Sequence, residues 1–302
     1  MKQNRGVLFI PYFGQWPEWF DLYLYSCENV QLDFQFFTDC KIPEEHPDNV
    51  RFIATSFKEY DQVSKSLKID FHPSSAYKLC DLKPFYGFIH KDLASKYDFW
   101  GFGDIDLIYG NMEELLSDRM LGRFDVITTH SDRIAGHFCI FRTGSRIAEK
   151  CFGIKDWQKK LMDDCHRNID EADLTLAIYP EIRFSYKLFR LFERMGIRTD
   201  MNSFLDKVNP IFCNRLTHRH FKEYWTTPEP REGQLWKWHV HTGAISNTYG
   251  RSIPYLHFLF FKKNKYKQID GQWNDGVFNN LDTQRLRNVT DISFSLNDIS
   301  YE

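Results

Sequence analysis

Two uninterrupted apolar runs constrain this chain more than any other feature. Val7-Leu8-Phe9-Ile10 and Phe99-Trp100-Gly101-Phe102-Gly103 carry no polar side chain to turn toward water, so each reads as a strand covered on both faces. Such strands belong to α/β sheets with helices packed on both sides. The surrounding pattern agrees. Pro11 ends the first run, and Pro17 suits the first turn of a helix carried by Glu18 to Cys27. Leu32–Phe37 and Val50–Ala54 read as strands, and Ser56-Phe57-Lys58-Glu59 is a capping box that opens a helix to Leu67. A helix is expected over 84–96, and another is capped by Asn111 and runs to Met120. Phe124–Thr129 and Phe138–Arg142 read as strands, and 145–165 and 182–195 as helices, the second closed by Gly196. Farther on, only Trp236–His241 and Tyr255–Phe261 stand out as strands.

Charge and cysteine usage narrow the function. The 39 Lys and Arg against 41 Asp and Glu give a net charge of −2, with no extended basic run, so nucleic acid is not an expected partner. Seven scattered cysteines without CxxC spacing read as free thiols of a reducing compartment, not as a disulfide frame or zinc site. No apolar stretch reaches the roughly 18 residues of a membrane span, and no export signal precedes the first strand, so the expected location is the cytoplasm. Aromatic residues make up 17% of the chain, enough to fill a core and still line a cleft that stacks on rings.

The second apolar run ends in Asp104-Ile105-Asp106. Ligands of open α/β sheets bind at the carboxyl ends of strands. Two carboxylates there suit a hard divalent cation carrying a diphosphate, Mn²⁺ or Mg²⁺. The plain alternative is a strand end with two solvated aspartates.

The stretch Tyr97–Asn111 resembles the Asp-x-Asp region of GT-A fold glycosyltransferases. Together with Tyr77-Lys78-Leu79-Cys80-Asp81-Leu82-Lys83-Pro84 it is similar to a bacterial family of capsule and O-antigen biosynthesis proteins. The likeness is good over residues 6–145 and patchy beyond. It implies a Rossmann-like α/β domain over 1–265 with a mixed, mainly parallel central sheet and helices on both faces. The donor-binding half would cover 1–130 and the acceptor side 131–265, with a C-terminal extension at 266–302. It implies transfer of a hexosyl unit from a nucleotide-sugar, UDP-linked by family habit, to a saccharide or lipid-linked saccharide acceptor.

Residue by residue, the resemblance makes Asp104 and Asp106 metal ligands and His257 the C-terminal imidazole that completes the metal shell. Trp238-His239-Val240-His241 is a rival for that last role, because its two histidines alternate onto one strand face. Pro11, Tyr12 and Phe13 would cover the nucleotide, with a ring stacked on the base, and Asp39 would meet the nucleoside. Tyr77, Lys78, Asp81 and Lys83 form a polar set before the metal strand. Lys78 and Lys83 offer charge to the diphosphate, against the alternative of an ordinary surface helix, and Lys78 and Asp81 are spaced to share one helical face. His137 would face the transferred sugar, and Lys262 would lie near the diphosphate. An inverting enzyme needs a carboxylate base. Asp170 and Glu171 are nominated, although Ile169 stands where the family usually has an aromatic residue, and Asp173 adds a third carboxylate whose repulsion would raise proton affinity. Phe258–Lys265 mixes aromatic and basic residues suited to peripheral contact with the inner membrane face, or reads as a buried strand with a solvated tail.

Three rivals remain. A phosphatase or mutase of aspartyl-phosphate type uses the first Asp of an Asp-x-Asp as nucleophile, but Leu107-Ile108 fit that pattern poorly. A nucleotidyltransferase would want a glycine-rich loop where Pro11-Tyr12-Phe13-Gly14 stands. A catalytically inactive carbohydrate- or nucleotide-binding protein of the same fold is the non-enzymatic alternative.

Overall fold

The computed structural model describes residues 5–130, 133–197, 235–257, 288–295 and 299–302, with residues 200, 201, 203, 204, 207, 208 and 286. The N-terminal part is an α/β unit. Strands β1 (Gly6–Pro11), β2 (Asp33–Thr38), β3 (Val50–Ala54), β4 (Phe99–Gly103), then β6 (Val126–Thr128) and β7 (Phe138–Arg142) form a six-stranded sheet. Its order is β3-β2-β1-β4-β7-β6, and only β7 runs against its neighbours. The sheet is therefore mixed and mainly parallel, as expected.

Alternation along each strand explains why the apolar runs are unbroken. Successive side chains point to opposite faces. Val7, Phe9, Trp100, Phe102 and Phe141 enter one core, and Leu8, Ile10, Phe99, Phe138 and Ile140 enter the other. Gly101 has a packing reason. A Cβ there would lie 2.2 Å from the carbonyl oxygen of Cys139 on β7, so any side chain would force the two strands apart.

The helices are shorter than the sequence pattern suggests. Glu18–Cys27 narrows to an α-helix at Phe20–Ser26 with a 3₁₀ turn at Cys27–Asn29. The capping box forms, with Glu59 Oε2 accepting from the Ser56 amide at 2.9 Å. The expected helix at 84–96 appears as two short α-helices, Tyr86–Ile89 and Lys91–Ala94, preceded by a long 3₁₀ segment at Ala76–Phe85. Pro84 lacks an amide donor and so cannot continue a regular α-helix from the preceding residues. The helix at Asn111–Met120 is split at Ser117, and 145–165 contains a 3₁₀ segment, Ala148–Gly153, and a helix, Trp157–Met162. Ile182–Arg194 matches its expected span, and Gly196, with φ 78°, follows it.

Two smaller sheets complete the fold. Strand β5 (Leu107–Tyr109) pairs antiparallel with β11 (Tyr255–His257). Strands β8 (Trp236–His239), β9 (Ala244–Asn247), β10 (Ser252–Ile253), β12 (Asp291–Phe294) and β13 (Ile299–Tyr301) form an antiparallel sheet in the order β10-β9-β8-β12-β13. Because β12 pairs with β8, the expected C-terminal extension shares a sheet with chain on the other side of the expected boundary at 265. Among the described residues no helix is long and apolar enough to cross a membrane, and no disulfide joins the described cysteines.

Candidate functional site

A cleft of about 360 Å³ opens at the carboxyl ends of β1 and β4, the two parallel strands at the centre of the sheet. Its lining includes Tyr12, Trp19, Tyr77, Lys83, Asp104 and Asp106. Two larger, more open grooves lie elsewhere, lined by other segments and remote from these carboxylates. The cleft brings together Lys83, Asp104 and Asp106 of the charged residues nominated from sequence, and strand-end placement in an α/β sheet supports it.

Strand pairing builds the candidate metal residues. His257 sits opposite Leu107 in the β5–β11 ladder, so a residue some 150 positions downstream arrives beside Asp106. His257 Nε2 stands 3.8 Å from Asp106 Oδ1, and both side chains are buried, at 5% and 2% exposure. Asp104 is the more open carboxylate, with 27% of its side chain exposed, and it lines the cleft. A carboxylate and an imidazole suit Mn²⁺; Asp104, on the same strand end, is drawn to Lys83 at 2.7 Å, and the three side chains do not bring their donor atoms within 4.8 Å of one another. The rival histidines lie apart from it: His239 is on β8 with Nδ1 3.0 Å from Thr242 Oγ1, and His241 follows it in an exposed turn.

Lys83 is the hub of the floor. Its ammonium donates to Asp104 Oδ1 at 2.7 Å, to the Gly136 carbonyl at 2.9 Å and to Asp170 Oδ2 at 3.2 Å. Burial works against its charge, but Asp104, Cys80 and Asp170 outweigh that and hold its proton affinity well above the lysine range. Lys83 is therefore a fixed cation that orients Asp104, rather than a mobile charge reaching for phosphate.

Lys78 differs from its expected role. It is 1% exposed and donates to Asp81 Oδ2 at 2.9 Å, to Asp163 Oδ1 at 3.3 Å and to the carbonyls of Lys160 and Cys165, each at 2.6 Å. An ammonium with its donors committed in this way is a structural latch, neither a phosphate ligand nor a surface lysine. Asp81, fully buried, completes the latch by accepting from the amides of Arg167 and Ile169. The i,i+3 spacing of Lys78 and Asp81 was readable; the destination of both side chains, inward, was not. Tyr77 remains at the rim, 57% exposed, its ring 4.8 Å from that of His166.

The loop after β1 also divides its residues. Pro11, Tyr12 and Phe13 all line the cleft. Phe13 packs on Phe57 and Tyr60, with ring centroids 5.4 and 5.5 Å away, so its ring belongs to the core. Tyr12 stacks on Trp16 at 5.2 Å, which occupies one face of the ring. Asp39 accepts from the Gly14 amide at 2.7 Å and pins the loop, where Gly14 takes φ 106°. That bond commits one oxygen of Asp39 to the protein itself.

His137 does not line the cleft. It is 3% exposed, with Nε2 at 3.0 Å from Thr129 Oγ1 and 2.9 Å from Tyr255 Oη, and its ring lies 4.2 Å from that of His257. Its carbonyl accepts from the Asp104 amide. It packs beneath β11 and holds the backbone at Asp104, turned away from the cleft.

The proposed bases are likewise turned inward. Asp170 lies in a π-helical turn, Ile169–Asp173, is 4% exposed, and meets Lys83. Burial, together with Glu171 and Asp104 and against the pull of Lys83, pushes its carboxyl up to about 7. Glu171 Oε1 accepts from the Gly136 amide at 3.1 Å, and Asp173 pairs with Lys160. Neither Asp170 nor Glu171 lines the cleft, so the geometry gives them the task of holding Lys83 and Gly136. Gly136 is required there, because a Cβ would fall 2.7 Å from Asp170 Oδ2 and 3.0 Å from Glu171. Lys262 and the segment 258–265 lie outside the described residues.

Sequence reasoning passed over Trp19, His166 and Tyr255. Trp19 lines the cleft and donates its indole N–H to the carbonyl of Ile105, between the two aspartates, at 2.9 Å. His166 precedes Asp170 by four residues, a spacing that was visible; Tyr255 acts through its hydroxyl, 2.9 Å from His137 Nε2, a contact that no spacing announces.

A family model described as a family of unknown function, DUF6625, matches residues 8–280. No curated protein matches the chain. Since that match covers most of its length, the protein belongs to the DUF6625 family.

Proposed function

We propose that the protein is a metal-dependent glycosyltransferase of GT-A type that moves a hexosyl unit from a UDP-type nucleotide-sugar to a saccharide acceptor of bacterial surface polysaccharide. One observation carries the reading: a chain-distant histidine, His257, is delivered by strand pairing to the Asp106 carboxylate, two residues from Asp104 at the end of a buried central strand, beside an aromatic-lined cleft.

Asp104, Asp106 and His257 would hold the cation, whose charge, when bound, offsets that of the diphosphate as the sugar leaves. The chain's own residues do the rest. Lys83 fixes Asp104 and adds positive potential to the cleft floor. Tyr12, Trp19 and Tyr77 present rings to a base or sugar, and such stacking contributes about 1–3 kcal/mol per base. Trp19 also holds the Ile105 carbonyl, which fixes the backbone between the two aspartates. Asp170 positions Lys83 from below.

The reading is tested by incubating purified protein with a panel of UDP-sugars, Mn²⁺ and saccharide acceptors, and following release of UDP. Metal-dependent release that is lost in Asp106→Asn supports it. Release unchanged in an Asp104→Asn/Asp106→Asn double variant contradicts it.

A further inference from the structure

Among the described residues one group of three ligand-bearing side chains brings one donor atom from each within 4.8 Å of the others: Asp81, His166 and Asp170. Each carboxylate is divided between two directions. Asp81 Oδ2 takes the Lys78 ammonium, and Asp170 Oδ2 takes that of Lys83. The two Oδ1 atoms converge on one imidazole, with His166 Nε2 at 3.7 Å from Asp81 and 4.0 Å from Asp170. Those separations are too long for hydrogen bonds.

Asp170 Oδ1 is the second, independent observation. It is buried, on a residue only 4% exposed, and among the described residues it has no hydrogen-bond partner. Buried polar atoms are nearly always satisfied, and a carboxylate oxygen most of all. Burial, with Lys83 and Lys78 assisting and Asp81 opposing, lowers the proton affinity of His166, so it meets the carboxylates as a neutral imidazole with a lone pair to give.

We propose that Asp81, His166 and Asp170 bind a divalent transition cation of zinc type, at a site distinct from Asp104, Asp106 and His257. One nitrogen and two carboxylate oxygens suit Zn²⁺ and leave a further position for water. With metal–ligand bonds of about 2.0–2.2 Å, neighbouring donors stand about 3.0–3.5 Å apart, so the two His166 separations need to close by about half an ångström. His166 is the part that moves, since its side chain is 27% exposed while both carboxylates are held by lysines. The exposed imidazole edge is also the way in for the ion. The bound cation ties the 3₁₀ segment Ala76–Phe85, which carries Lys83, to the stretch from His166 to Asp170, whose carboxylate accepts from Lys83 beneath the cleft.

The test is metal stoichiometry on the full chain, stripped with chelator and then dialysed against ZnCl₂, in wild type, His166→Ala and His257→Ala. Co²⁺ absorption in the visible range supplies a second readout that reports a nitrogen–oxygen ligand set directly. The expected result is one zinc equivalent lost, or its affinity weakened at least about tenfold, in His166→Ala and retained in His257→Ala, with the matching Co²⁺ band lost in His166→Ala alone. Wild type that takes up no zinc, or His166→Ala that keeps every equivalent and an unchanged Co²⁺ spectrum, overturns the proposal. Because the readout is metal content, the outcome is independent of whether any sugar is transferred. Circular dichroism of His166→Ala establishes that the loss is local; should that variant fail to fold, His166→Gln, which keeps the side chain's bulk, takes its place with the same two outcomes.

Discussion

Replacing Lys83 by Met removes the cation between Asp104 and Asp170 while keeping most of the side-chain volume. Asp104 can be rehydrated at the cleft, but Asp170 cannot, because it is 4% exposed. Its carboxyl already stands at about 7 with Lys83 in place, and Lys83 is the group pulling it down. Without Lys83, Asp170 keeps its proton to higher pH in the folded state, while in the unfolded chain it ionises near the ordinary carboxylate value. The folded state then binds one proton more than the unfolded, so stability falls as pH rises, by about 1.4 kcal/mol per pH unit. In wild type that fall runs from the unfolded carboxylate value up to about pH 7 and then stops. In Lys83→Met it continues, so the gap between the two proteins widens by about 2 kcal/mol between pH 7 and 8.5. A constant loss from the missing bonds to Gly136 and Asp104 adds to this. Urea unfolding at half-unit pH steps in EDTA measures it. Lys83→Met/Asp170→Asn removes the titrating group and should restore a constant gap. A gap between wild type and the single variant that stays constant from pH 7 to 8.5 would refute the reasoning.

Other consequences follow from the same packing. Gly136→Ala drives a Cβ to 2.7 Å from an Asp170 oxygen held by Lys83, so thermal unfolding should show a loss of about 1–3 kcal/mol. His90 is buried against Phe37, 4.2 Å away and stacked, with Tyr60 Oη 3.0 Å from its Nε2, and burial lowers its pKa to about 4. The unfolded state gains the proton first, so stability is intact above pH 6.5 and is lost as pH falls toward 4, by up to about 3 kcal/mol. His90→Gln should flatten acid unfolding in that window. Trp19→Phe keeps a ring in the cleft but removes the bond to Ile105; nucleotide binding should weaken by about tenfold in calorimetry while the melting temperature moves little.

The sheet was readable because its evidence is local. Val7–Ile10 and Phe99–Gly103 must be covered on both faces, and Val50–Ala54 is a short, mostly apolar run that forms a strand over its expected bounds. Helix lengths were not, because the 3₁₀ course of Ala76–Phe85 is set by tertiary anchors on Lys78, Asp81 and Lys83, which no periodicity encodes. For the site, Asp104 and Asp106 were visible as a strand end, and His257 through its family likeness. The inward turn of Lys78, Asp81, His137 and Asp170 was not, since a charged side chain in sequence gives no sign of the buried partners that admit it. His166 lay in view four residues before Asp170 and was missed because its other partner, Asp81, is far away in the chain.

The central claim is that the cleft binds a nucleoside diphosphate through a cation held by Asp104, Asp106 and His257. Calorimetric titration of UDP into the chelator-stripped protein, with and without Mn²⁺, tests it most directly. The account predicts tight binding only when Mn²⁺ is present, and its loss in Asp106→Asn and in His257→Ala but not in His166→Ala. Binding of UDP that is indifferent to Mn²⁺ and to Asp106→Asn, or no binding at all in the wild-type protein, would contradict it.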